Sequence, residues 1–338
     1  MSLPAANIAL PAAPDVVGRA AALGMVSLAA GFALLAGFAP LGASIVTVFL
    51  FAGPHNWFEA RYFLTRMPPR WGALRAYFTT GLVGVFALTG AFAALPALGR
   101  AYEWGWEDWN VALAIWNTAL VAWIAVLATM RARTNPRRDW AWLLPVAGGV
   151  VAIAWLWPFA WDLGLVYLHP LVAMWFLDRE LGRQRPTWQR PYRAMLAIVP
   201  LCLGLLWWRL ADSPNLPGAD ALTARITHHA GASILTGVST QLLVATHVFL
   251  ESLHYAVWLL AIPLVATLAA PWRIERIPLA QRGAAWRKLV VGFLAVGAIA
   301  VVLFWAGFLT DYPLTRDIYF TVAMLHVLAE VPFLLRLL

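Results

Sequence analysis

The chain has 338 residues, 62% of them hydrophobic and only 12% charged, with a mean hydropathy of +0.74. These values exclude an ordinary soluble domain and place the chain among all-α, polytopic integral membrane proteins. The net charge of +8 is almost wholly arginine, Lys288 being the only lysine; because the arginines fall in short loops between apolar runs, the basic balance is a membrane-topology signal and not a nucleic-acid footprint.

In chain order, residues 1–16 read as a short tail, and Met1 to Asp15 lack the basic segment of a cleavable signal peptide. The apolar runs then predict about ten transmembrane helices in a single domain, 1–338. The first four are Val17–Phe38, Leu41–Arg66, Trp71–Leu95 and Trp109–Met130. The next three are Trp140–Trp157, Phe159–Leu177 and Ala194–Leu210. Residues 211–232 are polar and are expected outside the hydrocarbon layer. The eighth run, Ser233–Ala270, exceeds the roughly 20 residues one crossing needs, so a kink at Pro263 or a projection beyond the bilayer is expected. Leu289–Leu309 and Ile318–Leu335 complete the set. Loops after the even-numbered runs are rich in arginine, including Arg131, Arg133, Arg137 and Arg138 after the fourth. Loops after the third, seventh and ninth carry the acids. The positive-inside rule then puts both termini in the cytoplasm, as for a bacterial-type inner-membrane protein in contact with anionic lipid. The single cysteine, Cys202, excludes an intrachain disulfide and a thiolate metal cluster.

Within these runs the histidines are not scattered. His55 lies in the second, His169 in the sixth, His247 and His254 in the eighth and His326 in the tenth. All four helices run from the outside to the inside, and the odd-numbered runs have no histidine. Three of the five are followed four residues later by glutamate: His55 by Glu59, His247 by Glu251 and His326 by Glu330. That spacing is one helical turn on one face. Three glutamates are therefore expected in a layer one turn cytoplasmic of three histidines. His169 has Asp162 on its face instead, seven residues earlier. An ionisable group at membrane depth costs roughly 2.5–3.5 kcal/mol or more and is a functional candidate by default.

Neutral imidazole suits iron, copper and zinc, with carboxylate to complete or orient the site. The residues thus point to a metal centre at mid-membrane. The expected ligands are His55, His169, His247, His254 and His326, with Glu59, Glu251 and Glu330 as catalytic carboxylates or as partners that fix the imidazoles. Trp57, Tyr255 and Trp258 are expected to line a substrate cavity. Two other readings use the same residues: an ion or proton translocator built on the His/Glu layers, and a pigment-binding subunit of a membrane complex with histidines as axial ligands. His228 and His229 are read as a polar outer loop.

Three segments carry a family resemblance. Gly53–Pro54–His55–Asn56–Trp57–Phe58–Glu59 resembles the Gly-x-Pro-His-Gly-x-x-Asp segment of the Brp/Blh membrane β-carotene 15,15′-dioxygenases. His254–Tyr255–Ala256–Val257–Trp258 is similar to that family's His-x-x-x-Trp segment. His326–Val327–Leu328–Ala329–Glu330, followed by Phe333, resembles its His-x-x-x-Asp-x-x-Phe segment. Of the family's His-Phe-Gly-x-x-Asp segment only the histidine is matched, by His169. The resemblance implies a helical membrane enzyme that holds ferrous iron through histidines and uses O2 to cleave a carotenoid. Departures are glutamate for aspartate at Glu59 and Glu330, Asn56 for glycine, and a spacing of seven between His247 and His254 where the family has four. With Glu251 between those histidines, the site has carboxylates enough for one Fe(II) ion or two, and its substrate is a carotenoid or another lipid-soluble molecule.

Overall fold

The computed structural model describes residues 16–134, 140, 142–218, 220–269 and 272–337. The expected N-terminal tail through Asp15, and Arg137 and Arg138, lie outside the described residues. Every regular element among the described residues is helical. In order these are α1 Val16–Phe38, α2 Pro40–Arg66, α3 Arg75–Ala101, α4 Trp106–Thr134, α5 Leu143–Leu156, α6 Pro158–Gln184, α7 Pro186–Met195, α8 Ile198–Leu210, α9 Ala221–His229, α10 Thr240–Ala256, α11 Ile262–Ala269, α12 Ala284–Thr310 and α13 Tyr312–Leu337. Pro40, Pro158 and Pro186 each open a helix at its first turn, where the missing amide costs nothing. Asp220 caps α9 by accepting the Thr223 amide at 2.8 Å.

Eight stretches among the described residues are long and apolar enough to cross a membrane, so the chain is a multi-pass membrane protein. They are α1, α3, α4, α6, the continuous α7–α8 pair, α10 through α11, α12 and α13. Two of the ten expected runs fall outside this set. The second, α2, has 27 residues but carries His55, Asn56, Glu59 and Arg61 in its C-terminal half. The fifth, α5, has only 14 residues.

The eighth run differs most from its expectation. Its helix begins at Thr240, seven residues later than Ser233, and residues 230–238 are turns. Gly231, at φ 94°, takes the left-handed conformation that reverses the chain between α9 and α10. Instead of a kink at Pro263, a π-helical turn spans Val257–Ala261. Proline at 263 lacks an amide and crowds the carbonyl four residues back, and a wider turn relieves both.

α10 is the axis of the bundle. Every residue from Leu242 to Tyr255 is buried, as expected of a helix enclosed on all sides. It packs against α1, α2, α6 and α8. On one side α3, α4 and α5 stack in sequence, and α13 closes the bundle against α3 and α12. Trp123 shows how close α3 and α4 come. Its indole N–H donates to the Thr80 carbonyl at 3.0 Å, and a Cβ on Gly84 would lie 1.9 Å from that nitrogen.

At the arginine-bearing end a buried carboxylate ties the helices together. Glu180, 1% exposed, accepts from Tyr62 at 3.0 Å, from Arg66 and from Gln184. Arg336 then donates to the Arg66 carbonyl at 2.7 Å, which links α2, α6 and α13. Replacing Glu180 by alanine leaves the buried Tyr62 hydroxyl without its acceptor and the partly exposed Arg66 without its partner, and about 2 kcal/mol of stability is expected to be lost. Thermal unfolding in detergent measures it; Arg193→Ala, which opens only the exposed pair with Asp178, is expected to leave the transition unmoved.

Candidate metal centre

Four helices bring their polar faces together at the middle of the bundle. His55 comes from α2, His169 from α6, His254 from α10 and His326 from α13. Ring centroids are 5.2 Å apart for His55 and His254, 5.0 Å for His55 and His326, and 4.6 Å for His169 and His254. Within this knot, His55, Glu59, His254 and His326 each place one ligand atom so that all lie within 4.8 Å of one another. Ligands of a single first-row ion at bond lengths near 2.0–2.2 Å lie at most about 4.4 Å apart. A contraction of a few tenths of an ångström therefore suffices, and this group can hold a metal ion.

The hydrogen bonding makes the same point. Buried polar atoms are nearly always satisfied, yet here many have no partner. They are Nε2 of His55 and His169, both ring nitrogens of His254 and His326, both oxygens of Glu59 and Oε1 of Glu330. Burial without partners costs about 1–3 kcal/mol per group, a cost that a shared cation removes. Outside the knot the rings are oriented. His55 Nδ1–H donates to the Phe51 carbonyl at 3.2 Å, which leaves Nε2 with its lone pair facing His254 and His326. His169 Nδ1 lies 3.4 Å from Glu330 Oε2, the carboxylate–imidazole contact typical beside a metal.

The sequence-predicted residues divide into two neighbourhoods. His55, Glu59, His254 and His326 form the knot, with His169 and Glu330 against it. Glu59 and Glu330 are electrostatic neighbours, so the expected layer of three glutamates is reduced to two. Glu251 lies outside this group. The two turns between His247 and His254 set His247 and Glu251 towards the α9 end of the helix, where they face each other at 3.8 Å. Tyr255 joins the two neighbourhoods: its ring lies 4.4 Å from that of His55, and its hydroxyl donates to Glu251 Oε1 at 2.7 Å. Trp57 turns away, donating its indole N–H to the Leu294 carbonyl of α12 at 2.9 Å. Trp258 is fully buried in an aromatic floor with Tyr62, Phe63 and Phe176, which Phe333 closes by stacking on Phe63.

The structure also adds residues that spacing does not reveal. His229 ends α9, and its ring lies 4.9 Å from His247. Burial, then the neighbouring His247 and Arg316, hold this imidazole well below its usual range, so it is neutral at pH 7. Arg316 is 3% exposed and lies over Phe320 at 4.5 Å. Asn117 donates to Asp162 at 3.0 Å, which accounts for the aspartate on the α6 face. His228 and His229 were expected in a polar loop; instead they end α9, and His229 is buried beside His247.

No protein-family model, no curated protein and no solved structure matches this chain.

The geometry separates the two histidines of α10. Purified His254→Ala and Glu59→Ala are expected to lose stoichiometric transition metal, whereas His247→Ala retains it. Elemental analysis of the purified variants, with competition by a chelator of known affinity, reads all three.

Proposed function

We propose that this chain is a membrane non-haem iron oxygenase that acts on a lipid-soluble substrate with O2. The observation that carries the reading is the knot itself: imidazoles from α2, α10 and α13 and a carboxylate, with partnerless nitrogens and oxygens, inside an apolar bundle. Three neutral histidines and a glutamate are a donor set suited to Fe(II). A ferrous ion held there supplies dioxygen activation. The chain's own residues do the rest. His55, His254, His326 and Glu59 are the proposed ligands, and the Phe51 carbonyl and Glu330 fix the imidazoles of His55 and His169. The floor of Tyr62, Phe63, Phe176, Trp258 and Phe333 keeps water from the arginine-bearing end away from the site. Tyr255, in contact with His55, is the side chain best placed to meet a substrate. Because the histidine segments resemble those of carotenoid-cleaving enzymes, β-carotene is the first substrate to assay.

Two features favour this reading over the others. A translocator needs a polar path to both surfaces, and the aromatic floor interrupts one side. A pigment ligated by these histidines needs an open face, but their rings lie 4.6–6.3 Å apart. For topology, we read α2 and α5 as further crossings beside the eight apolar stretches. Ten crossings place both termini on the arginine-rich side, the cytoplasmic face of a bacterial-type inner membrane.

Purified under anaerobic conditions, the full chain is expected to carry about one iron per polypeptide and to consume O2 when β-carotene or a related polyene is added. Iron, copper and zinc all at trace levels would sink the metal reading. Bound iron with no O2 uptake on any lipid substrate would leave a metal protein but remove the oxygenase.

A further inference from the structure

An apolar cavity lies outside the metal centre, against the other side of α10. It has a volume of about 360 Å³ and runs between α1, α6, α7 and the α10–α11 helix. Its wall includes Met25 on α1, Met174 and Leu177 on α6, and Leu253 and Val257 beside His254. No charged side chain lines it. The rim is open to the bilayer side, with Leu28 and Leu260 38% and 53% exposed. From Gly18 to Ala29 its α1 wall spans roughly 16 Å at 1.5 Å per residue. That is about half of the roughly 30 Å hydrocarbon thickness, the depth of one leaflet.

The end of the groove is chemically different. Trp188 lines it and lies against Gly18, and the Arg185 guanidinium sits 5.8 Å from the Trp188 ring centroid. The arginines around it are engaged. Arg183 lies 3.5 Å from Glu180, and Arg193 holds Asp178 at 2.7 Å. Arg185 has no carboxylate within ion-pair distance among the described residues, and its Nε is buried without a hydrogen-bond partner. α7 starts at the next residue, Pro186, so the positive end of its dipole adds to this charge. A single-leaflet apolar groove that ends at an unpaired guanidinium matches one ligand class: a molecule with an anionic head and one long apolar chain to bury.

We propose that this groove binds an anionic phospholipid of the surrounding bilayer, with one acyl chain along α1 and α10–α11 and its phosphate at Arg185. The site is independent of iron. It shares a wall with the metal centre all the same, since Leu253 and Val257 flank His254 on the same helix. A seated chain presses on the turn that carries that ligand.

Native mass spectrometry of the full chain, released from nanodiscs of equal phosphatidylglycerol and phosphatidylcholine, tests this. The wild type is expected to retain phosphatidylglycerol at least tenfold over phosphatidylcholine. Gly24 lines the groove, and a Cβ there meets nothing within 4 Å, so the side chain of Gly24→Phe starts in open space and occupies the groove. This variant is expected to keep its helix content by circular dichroism and its metal content, and to lose the lipid adduct. Arg185→Gln is expected to keep an adduct without head-group preference. Equal retention of both lipids by the wild type, a retained molecule that is not a phospholipid, or full retention by Gly24→Phe with Ala22→Phe as a second filling variant, each overturns the proposal. Loss of iron in every preparation would bear on the oxygenase reading alone.

Discussion

An imidazole or carboxylate without a partner is expensive wherever water is excluded, and this bundle concentrates that expense at one point. The partnerless atoms of His55, His169, His254, His326, Glu59 and Glu330 repel a purely apolar account of the interior. Everything around them either lowers the cost or keeps it confined. The carbonyl of Phe51 and the carboxylate of Glu330 each take one ring nitrogen. The aromatic floor separates the knot from the charged network of Glu180 and Arg66. The fully enclosed α10 holds its histidine between three other helices, so no single side chain can swing out to water.

The same constraint organises the bundle at larger scale. α10, which carries His254, is buried along its length from Leu242 to Tyr255. α12, which carries no residue of the knot, is mostly exposed on its apolar surface. Polar side chains on the inner helices are tied in pairs across neighbours, as with Asn117 and Asp162 or Tyr62 and Glu180. Hydrogen bonds of this kind serve as glue where the hydrophobic effect gives helices no reason to prefer one another over lipid.

Much of this is legible in the sequence. Apolar runs of about 20 residues are a strong signal because a bilayer fixes their length, and the i, i+4 pairs His55/Glu59 and His326/Glu330 lie where one helical turn puts them. Depth within a helix is harder. His247 and His254 sit on one face, but only the tertiary packing decides which of them meets His55. Trp57 illustrates a related loss, since its neighbourhood in sequence is the knot while its indole belongs to α12. The late start of α10 depends on Gly231 and the turns around it, and His229 meets His247 only through the reversal of the chain there. α2 is less apolar than its neighbours because His55, Asn56 and Glu59 lie in it; the residues that build the candidate site hide it as an apolar span.

The helix that contains the π-helical turn at Val257–Ala261 does two things. His254 faces inward, towards the other imidazoles. Leu253, Val257, Leu260 and Leu264 face the groove and follow one another at three- and four-residue steps straight through the wide turn. One unbroken apolar stripe thus runs down the back of the helix that carries the ligand, and a push anywhere along that stripe is felt on the opposite face.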